Sequence, residues 1–271
     1  MQKIFKKENR AVLRELVVTD FKLRYQGSIL GYAWSLLRPL FMFSITYLVF
    51  AVVFKAGKGV PHYPVYLLLG IVLWTYFGDV TTQGIGAIVA RGDLIRKIRI
   101  PRWLIVLSVS IGATINLLLN LVVVLVFIII SKTPISAGVL FLPIYIAEIY
   151  LFALGISLFL SALYVRYRDI SYIWDIITQA GFYLTPILYP ITKNANLLAS
   201  HWTALKVMYI NPVAHSIQGI RNVVVTQETL TISEIWNSNY AWLLPLGVIL
   251  VSLVFGVVYF KKQARTFAED I

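Results

Sequence analysis

The chain has 271 residues, 59% hydrophobic and 13% charged, against about 25% charged in an average soluble domain. Too few polar residues are present to cover a globule of this size, which excludes a simple soluble enzyme and a disordered chain and points to the bilayer as solvent. The absence of cysteine excludes disulfides, thiolate catalysis and thiolate metal sites, and the net charge of +12, which would suggest nucleic acid in a soluble protein, has to be read from its distribution along the chain.

Residues 1–32 carry seven cations and no uninterrupted apolar core, so no cleavable signal peptide is expected and insertion is left to internal segments. Lys3, Lys7, Arg10 and Arg14 follow a 4-3-4 spacing that forms one cationic helical stripe, with Val12, Leu13, Leu16, Val17 and Phe21 on another face. Such a helix lies in the inner interface, with its apolar face in acyl chains and its cations at the phosphates. Gly27, Ser28 and Gly31 suit either a hinge to the first span or close helix packing.

Six apolar segments follow, at 33–54, 64–90, 103–131, 139–164, 171–190 and 240–260. Each reaches the ~20 residues that a spanning helix needs. Pro39, Pro186 and Pro245 sit near segment ends, where proline is tolerated. The first, second and fifth segments are rich in aromatics, among them Phe41, Phe43, Tyr47, Trp74, Tyr76, Phe77, Phe182 and Tyr183. Rings of this kind pack bundles, and they also line sugar paths, because a pyranose face presents C–H groups to a π-system. Three acids, Asp79, Glu148 and Asp175, lie in or near spans. An acid at that depth is either a structural polar contact or part of a pathway, and Asp175 is close enough to the inner boundary to be interfacial.

Between the second and third spans, residues 91–102 alternate apolar Leu94, Ile95 and Ile98 with cations and close at Pro101. This reads as a short helix parallel to the membrane. It is either a plain basic loop or a docking knob with apolar teeth and a charged rim. Between the fifth and sixth spans, 191–239 is too long for a plain connector. It holds two half-helices around Asn211-Pro212: Leu198, Trp202, Leu205 and Tyr209 in one, and Val213, Ile217, Ile220 and Val224 in the other, each with one apolar face. Neither is long enough to cross. They read as interfacial or re-entrant helices, packed on the bundle or closing the exit of a pathway.

Of the 24 cations, 18 fall on the side of both termini, of 91–102 and of Arg166 and Arg168; six (Lys55, Lys58, Lys132, Lys193, Lys206 and Arg221) fall on the other. This bias places both termini in the cytoplasm, as an even number of spans requires. Trp34, Trp103 and Trp174 then mark the inner boundary, and Trp236 and Trp242 the outer one.

Motifs of catalysis are missing. There is no G-x-x-x-x-G-K-[ST] loop, no H-E-x-x-H, and no metal spacing among His62, His201 and His215. No catalytic residue and no metal site is therefore expected, and any use of ATP has to come from another chain.

Taken together, DFKLRYQGSILGYAWSLLRPL from Asp20, GDLIRKIRIPR at 92–102, RYRDI at 166–170, FYLTPILYP at 182–190 and NPVAHSIQGIR at 211–221 resemble the permease subunit of type-2 ABC exporters of polysaccharides and polyol phosphates, the exporters of O-antigen, capsule, rhamnan and teichoic acid. The resemblance implies that residues 1–271 form a single all-α integral membrane domain with six transmembrane helices, an amino-terminal amphipathic interface helix (1–32, with Lys7, Arg10, Arg14 and Arg24), a coupling helix (91–102, with Asp93, Leu94, Ile95, Lys97 and Ile98) and two short gate helices in an extracytoplasmic region at 191–239 (with Trp202, Asn211 and Pro212). It further implies a homodimer in the bacterial inner membrane, joined to a separate ATPase that holds ATP and Mg. The cargo would be a glycan or polyol-phosphate polymer on an undecaprenyl-type lipid, with no role for nucleic acid. On that reading Phe41, Tyr47, Trp74, Tyr76 and Phe77 are candidates to line the path. A type-2 permease for a small amphipathic drug or lipid is the alternative; an intramembrane enzyme would need clustered catalytic acids or histidines, which the sequence does not show, and an ion channel or proton-coupled transporter has only Asp79 and Glu148 in its favour.

Overall fold

Eleven α-helices follow one another among the described residues of the computed structural model, which are 7–25, 31, 33–97, 100–134, 136–193, 202–264 and 267. The amino-terminal helix α1 (Lys7–Tyr25) precedes α2 (Ala33–Tyr47), which runs on through wide π-helical turns, Leu48–Val53, before the chain turns at Lys55 with a φ of 53°. Then come α3 (Tyr63–Ala87), a short α4 (Gly92–Lys97), α5 (Trp103–Ile130), α6 (Leu142–Arg166) and α7 (Ile170–Leu184). The remaining helices are α8 (Trp202–Ile210), α9 (Pro212–Val224), α10 (Ile232–Trp236) and α11 (Leu243–Gln263). The β-type pairing found among the described residues is one antiparallel bridge, Thr192 with Thr229.

Five of these stretches are long and apolar enough to cross a membrane: Ala33–Val53, Tyr63–Ala87, Trp103–Ile130, Ala137–Arg166 and Leu243–Gln263. They coincide with the first, second, third, fourth and sixth expected spans. The fifth differs. Where the sequence suggested a span over 171–190, α7 stops after 15 residues, a rise of about 22 Å against the ~30 Å of a hydrocarbon core. The cause is local. Pro186 forces the residue before it out of the helical region, and Thr185 is extended (φ −82°, ψ 139°). The chain from Thr185 to Thr192 then forms a turn that is buried except for the half-buried Tyr189.

The centre of the bundle is α3, apolar all round and therefore buried on every side: 72% of its spanning window is inside. It packs between α5 and α6, with α7 and α9 also against it. The other four long segments show broad apolar faces, such as Ile45 and Val52 on the first and Leu250, Val251 and Val254 on α11. Hydrophobic burial drives little association between helices in lipid, so close backbone contact has to do the work. The tightest pair is α6 with α11, where Gly155 faces Gly256; a Cβ on Gly155 would come within 2.7 Å of the Ser252 carbonyl carbon.

The half-helices expected around Asn211-Pro212 are present as α8 and α9. Asn211 caps α9, its side chain accepting the Val213 N–H at 3.0 Å, and Pro212 fills the first helical position, where no donor is lost. The placement of α9 departs from a surface lid: every residue from Pro212 to Arg221 is buried, against α6, α3 and α8. It is a wedge inside the bundle.

Candidate functional site

At the cation-rich end, α1 lies along α5. Its anchor is an ion pair between Asp20 and Arg91, with Ser108 donating to the Asp20 carboxylate at 3.2 Å and accepting from Arg91 at 3.1 Å. Leu16 packs on the apolar cluster of α3, α5, α6 and α11 at the same end. Arg10 and Arg14 are exposed; the side chains of Lys7 and Arg24 lie outside the described residues. Beside the anchor is a cavity of about 820 Å³ lined by Asp20, Arg38, Asp79, Gln83, Arg91 and Asn116, together with Trp34 and small residues of α3. Asp79 thus faces the protein interior, as its depth requires.

The segment singled out at 91–102 forms a 3-10 turn, Val89–Arg91, and then α4. Asp93 in its first turn and Arg96 and Lys97 in its last suit the helix dipole. Asp93 and Lys97 are exposed and Leu94 is half-buried. Ile95 turns inward, into one cluster with Ile88, Ile105, Val106 and Phe260, so within this chain it serves as an anchor of α4. Ile98 lies outside the described residues.

The aromatics differ in their settings. Phe41 is on the open face of α2. Tyr47 lies against Phe43 at 5.6 Å, and Phe43 meets Phe127 of α5 edge-on. Tyr76 and Phe77 are core residues: the Tyr76 hydroxyl pairs with Thr114 at 3.0 Å, and Phe77 stacks on Phe152 at 5.8 Å. Trp74 and Phe77 line an apolar cavity of about 330 Å³ with Phe152, Trp174, Asn211 and Pro212. The structure thereby joins two sets of sequence candidates, the α3 aromatics and the α8–α9 joint. Trp202, at the other end of α8, is half-exposed and outside this cavity.

The best-organised polar site was not anticipated. Arg221 of α9 was counted with the cations of the outer surface; its side chain is wholly buried. Nε donates to the Tyr66 carbonyl at 3.0 Å and Nη2 to that of Ile187 at 2.8 Å, while Nη1 donates to that of Pro186. Its Cζ lies 3.7 Å from the centre of the Tyr66 ring. The Tyr63 hydroxyl donates to Leu188 O at 2.9 Å, and the Tyr66 hydroxyl accepts from Ile191 N at 3.3 Å. These contacts answer the backbone accounting that a buried turn imposes, since each peptide group without water needs a partner. Gly70 makes room: a side chain there would run into the guanidinium. A second polar contact ties α9 to α6, where Glu148 accepts from Ser216 at 2.9 Å and lies 3.1 Å from His215 Nδ1. Glu148 is therefore a structural partner of α9. On α8, burial pushes the Tyr209 phenol well above its ordinary value, in keeping with its role as donor to Leu230 O at 2.8 Å.

Among the described residues no cluster of three or more His, Asp or Glu could hold a metal. The arrangement consists of apolar helices, a buried non-helical turn closed by a wedge helix, and a short amphipathic helix at the cation-rich end. It defines a multi-pass membrane protein. The family model described as "ABC-2 type transporter" matches residues 12–225, and the chain belongs to that family. It is similar to the O-antigen export system permease protein RfbA of Klebsiella pneumoniae, 29% identical over 271 residues and 97% of each chain. It is also similar to the protein of the same name from Myxococcus xanthus, 32% identical over 184 residues, covering 68% of this chain and 70% of that one. As a transmembrane subunit of an ABC transporter, the chain works with an ATPase carried by a separate subunit.

Proposed function

We propose that this chain is the transmembrane subunit of an ATP-driven exporter that moves a lipid-linked polysaccharide or teichoic-acid-like polymer outward across the bacterial inner membrane. The observation that carries this reading is the end-to-end similarity to permeases named for O-antigen export. Two copies form the conduit, each with six spans, α7 being the fifth, and with both termini in the cytoplasm. The 18-to-6 division of cations supports that orientation. Membrane lipids surround the dimer. Lys7, Arg10, Arg14 and Arg24 on the interface helix gather the lipid carrier at the inner surface, and the joint at Asn211-Pro212, with Trp202, closes the outer end. ATP and Mg bind the partner ATPase, not this chain.

Coupling to that partner runs through α4 and the residues after it, where Leu94 and Ile98 present the apolar teeth, Asp93 and Lys97 the charged rim, and Ile95 the anchor. A buried apolar side chain at such a contact is worth roughly 1.5–3 kcal/mol. Leu94→Asp is therefore expected to release the ATPase or uncouple hydrolysis from export while membrane insertion stays normal. Co-purification with the ATPase, mass spectrometry of the retained lipid and polymer export by reconstituted vesicles check the reading. A complex that retains and moves no glycan-bearing lipid overturns it.

A further inference from the structure

The helix α7, proposed above as the fifth span, carries polar groups on its open side. On α7, Trp174 turns into the bundle and donates to the Thr81 hydroxyl at 3.1 Å, and Phe182 packs edge-on to Trp74. The opposite face holds Tyr172, Asp175, Ile176, Gln179 and Tyr183, all exposed. At 3.6 residues per turn these five fall within an arc of about 100°. Tyr172 is 72% and Tyr183 64% exposed; Tyr183 meets the neighbouring Phe182 edge-on at 5.4 Å and leaves the rest of its ring open. Among the described residues, the Asp175 and Gln179 side chains have no hydrogen-bond partner.

A face of this composition does not sit against acyl chains. With α7 taken as the fifth span, Gln179 is about 14 Å along the axis from Ile170, a depth within a hydrocarbon layer ~30 Å thick, where an unpaired amide or carboxylate is costly and turns toward a polar cavity. Exposed polar side chains elsewhere on the long segments do find an outlet: Ser44 bonds to its own helix at Leu40 O, and Arg38 and Thr82 line the polar cavity beside Asp20. The strip on α7 has none within the chain.

Resting on the exporter reading above, we propose that Tyr172, Asp175, Gln179 and Tyr183 form the strip of α7 that meets the passing polymer, and that this strip selects an uncharged, hydroxyl-rich chain over a polymer with phosphate in its backbone. Two rings bracket a carboxylate and an amide. Rings accept sugar faces, and the carboxylate and amide bond to hydroxyl pairs as each unit passes. Asp175 repels a repeating phosphate, and inside a low-dielectric wall that repulsion is not fully screened. The proposal thus narrows the cargo to a neutral polysaccharide.

Because the chain has no cysteine, single-cysteine variants test the strip without interference. In membrane vesicles holding the permease with its ATPase, Tyr172→Cys, Asp175→Cys, Gln179→Cys and Tyr183→Cys are expected to react with a water-soluble methanethiosulfonate, and Leu250→Cys and Val254→Cys on the apolar face of α11 are not. Protection of all four α7 positions, whether by lipid or by a second copy of the chain, overturns the proposal. For selection, the probes are a neutral hexose polymer and a poly(glycerol phosphate), each on the same polyprenyl diphosphate. Asp175→Asn is expected to raise the phosphate-to-neutral transport ratio about tenfold, equivalent to ~1.4 kcal/mol, and Gln179→Leu to slow the neutral polymer. An unchanged ratio with reactive cysteines overturns the selection. Transport of neither probe by the unaltered complex overturns the exporter reading, and the labelling pattern then decides the strip by itself.

Discussion

The two ends of the bundle are fastened in opposite ways. At the end away from most of the cations, α9, α3 and the turn at 185–192 are locked by a wholly buried guanidinium with three carbonyl partners and by two tyrosines of α3. At the cation-rich end, α1 is held by a partly exposed ion pair to the turn Val89–Arg91, by Ser108 of α5 beside it and by Leu16 on the apolar cluster, next to a roomy polar cavity. Opening the first end breaks several bonds in a region without water; loosening the second breaks a contact that water can replace. The difference marks the wedge as the firmly fastened end and the amino-terminal helix as the element that can shift at modest cost.

The sharpest way to break the comparison is Arg221→Met. Removing the guanidinium leaves the carbonyls of Pro186 and Ile187 without that donor and takes a second donor from the helical carbonyl of Tyr66, and a loss of about 3–5 kcal/mol is expected, the range for breaking a buried charged contact. Thermal unfolding of the purified chain in detergent reads it. A loss below ~1 kcal/mol, the size of a surface pair, would make the two ends equivalent. Asp20→Ala is the counterpart at the other end. It is expected to cost only about 1 kcal/mol, to raise amide exchange in α1 and to leave α9 protected; faster exchange in α9 would contradict the division.

The smallest effect concerns the outer connection. Partial burial works to raise the Glu234 carboxyl, but the Lys193 ammonium at 2.7 Å and the Thr231 N–H at 2.8 Å outweigh it and hold the group below its ordinary value. Its contribution is therefore complete above the unfolded value of about 4.3 and is lost as pH falls through the lower folded value. Glu234→Gln is expected to flatten the acid limb of stability by a small amount, measurable as a shift in Tm between pH 6 and more acidic buffer, and to leave neutral-pH export unchanged.

How much of this was legible depended on whether the signal was local. Apolar runs gave five spans to within a few residues, and Asn211-Pro212 announced a helix start, because a cap followed by proline is a local pattern. The early stop of α7 was also written locally, in Thr185-Pro186, but the apolar run continuing to Pro190 masked it. The burial of Arg221 was not legible, because a count of cations cannot tell one facing water from one facing three carbonyls 34 to 155 positions away in sequence. Ile95 was taken as a tooth on the same grounds: spacing gives the face of a helix and not what covers it. For Tyr76 and Phe77, composition could not name the neighbours, which are Thr114 for the one and Phe152 and the apolar cavity for the other.

The direction of these long-range bonds bears on how the chain is assembled. Every acceptor of the Arg221 guanidinium, at 66, 186 and 187, lies earlier in the sequence than the arginine itself. Synthesis from the amino terminus therefore completes the socket before the plug emerges. A permanently charged side chain that cannot shed its proton meets a set of carbonyls already waiting, and it need never pass through lipid unpaired. The mirror arrangement, with the arginine made first, would leave a bare cation at the membrane until some 150 further residues had been translated.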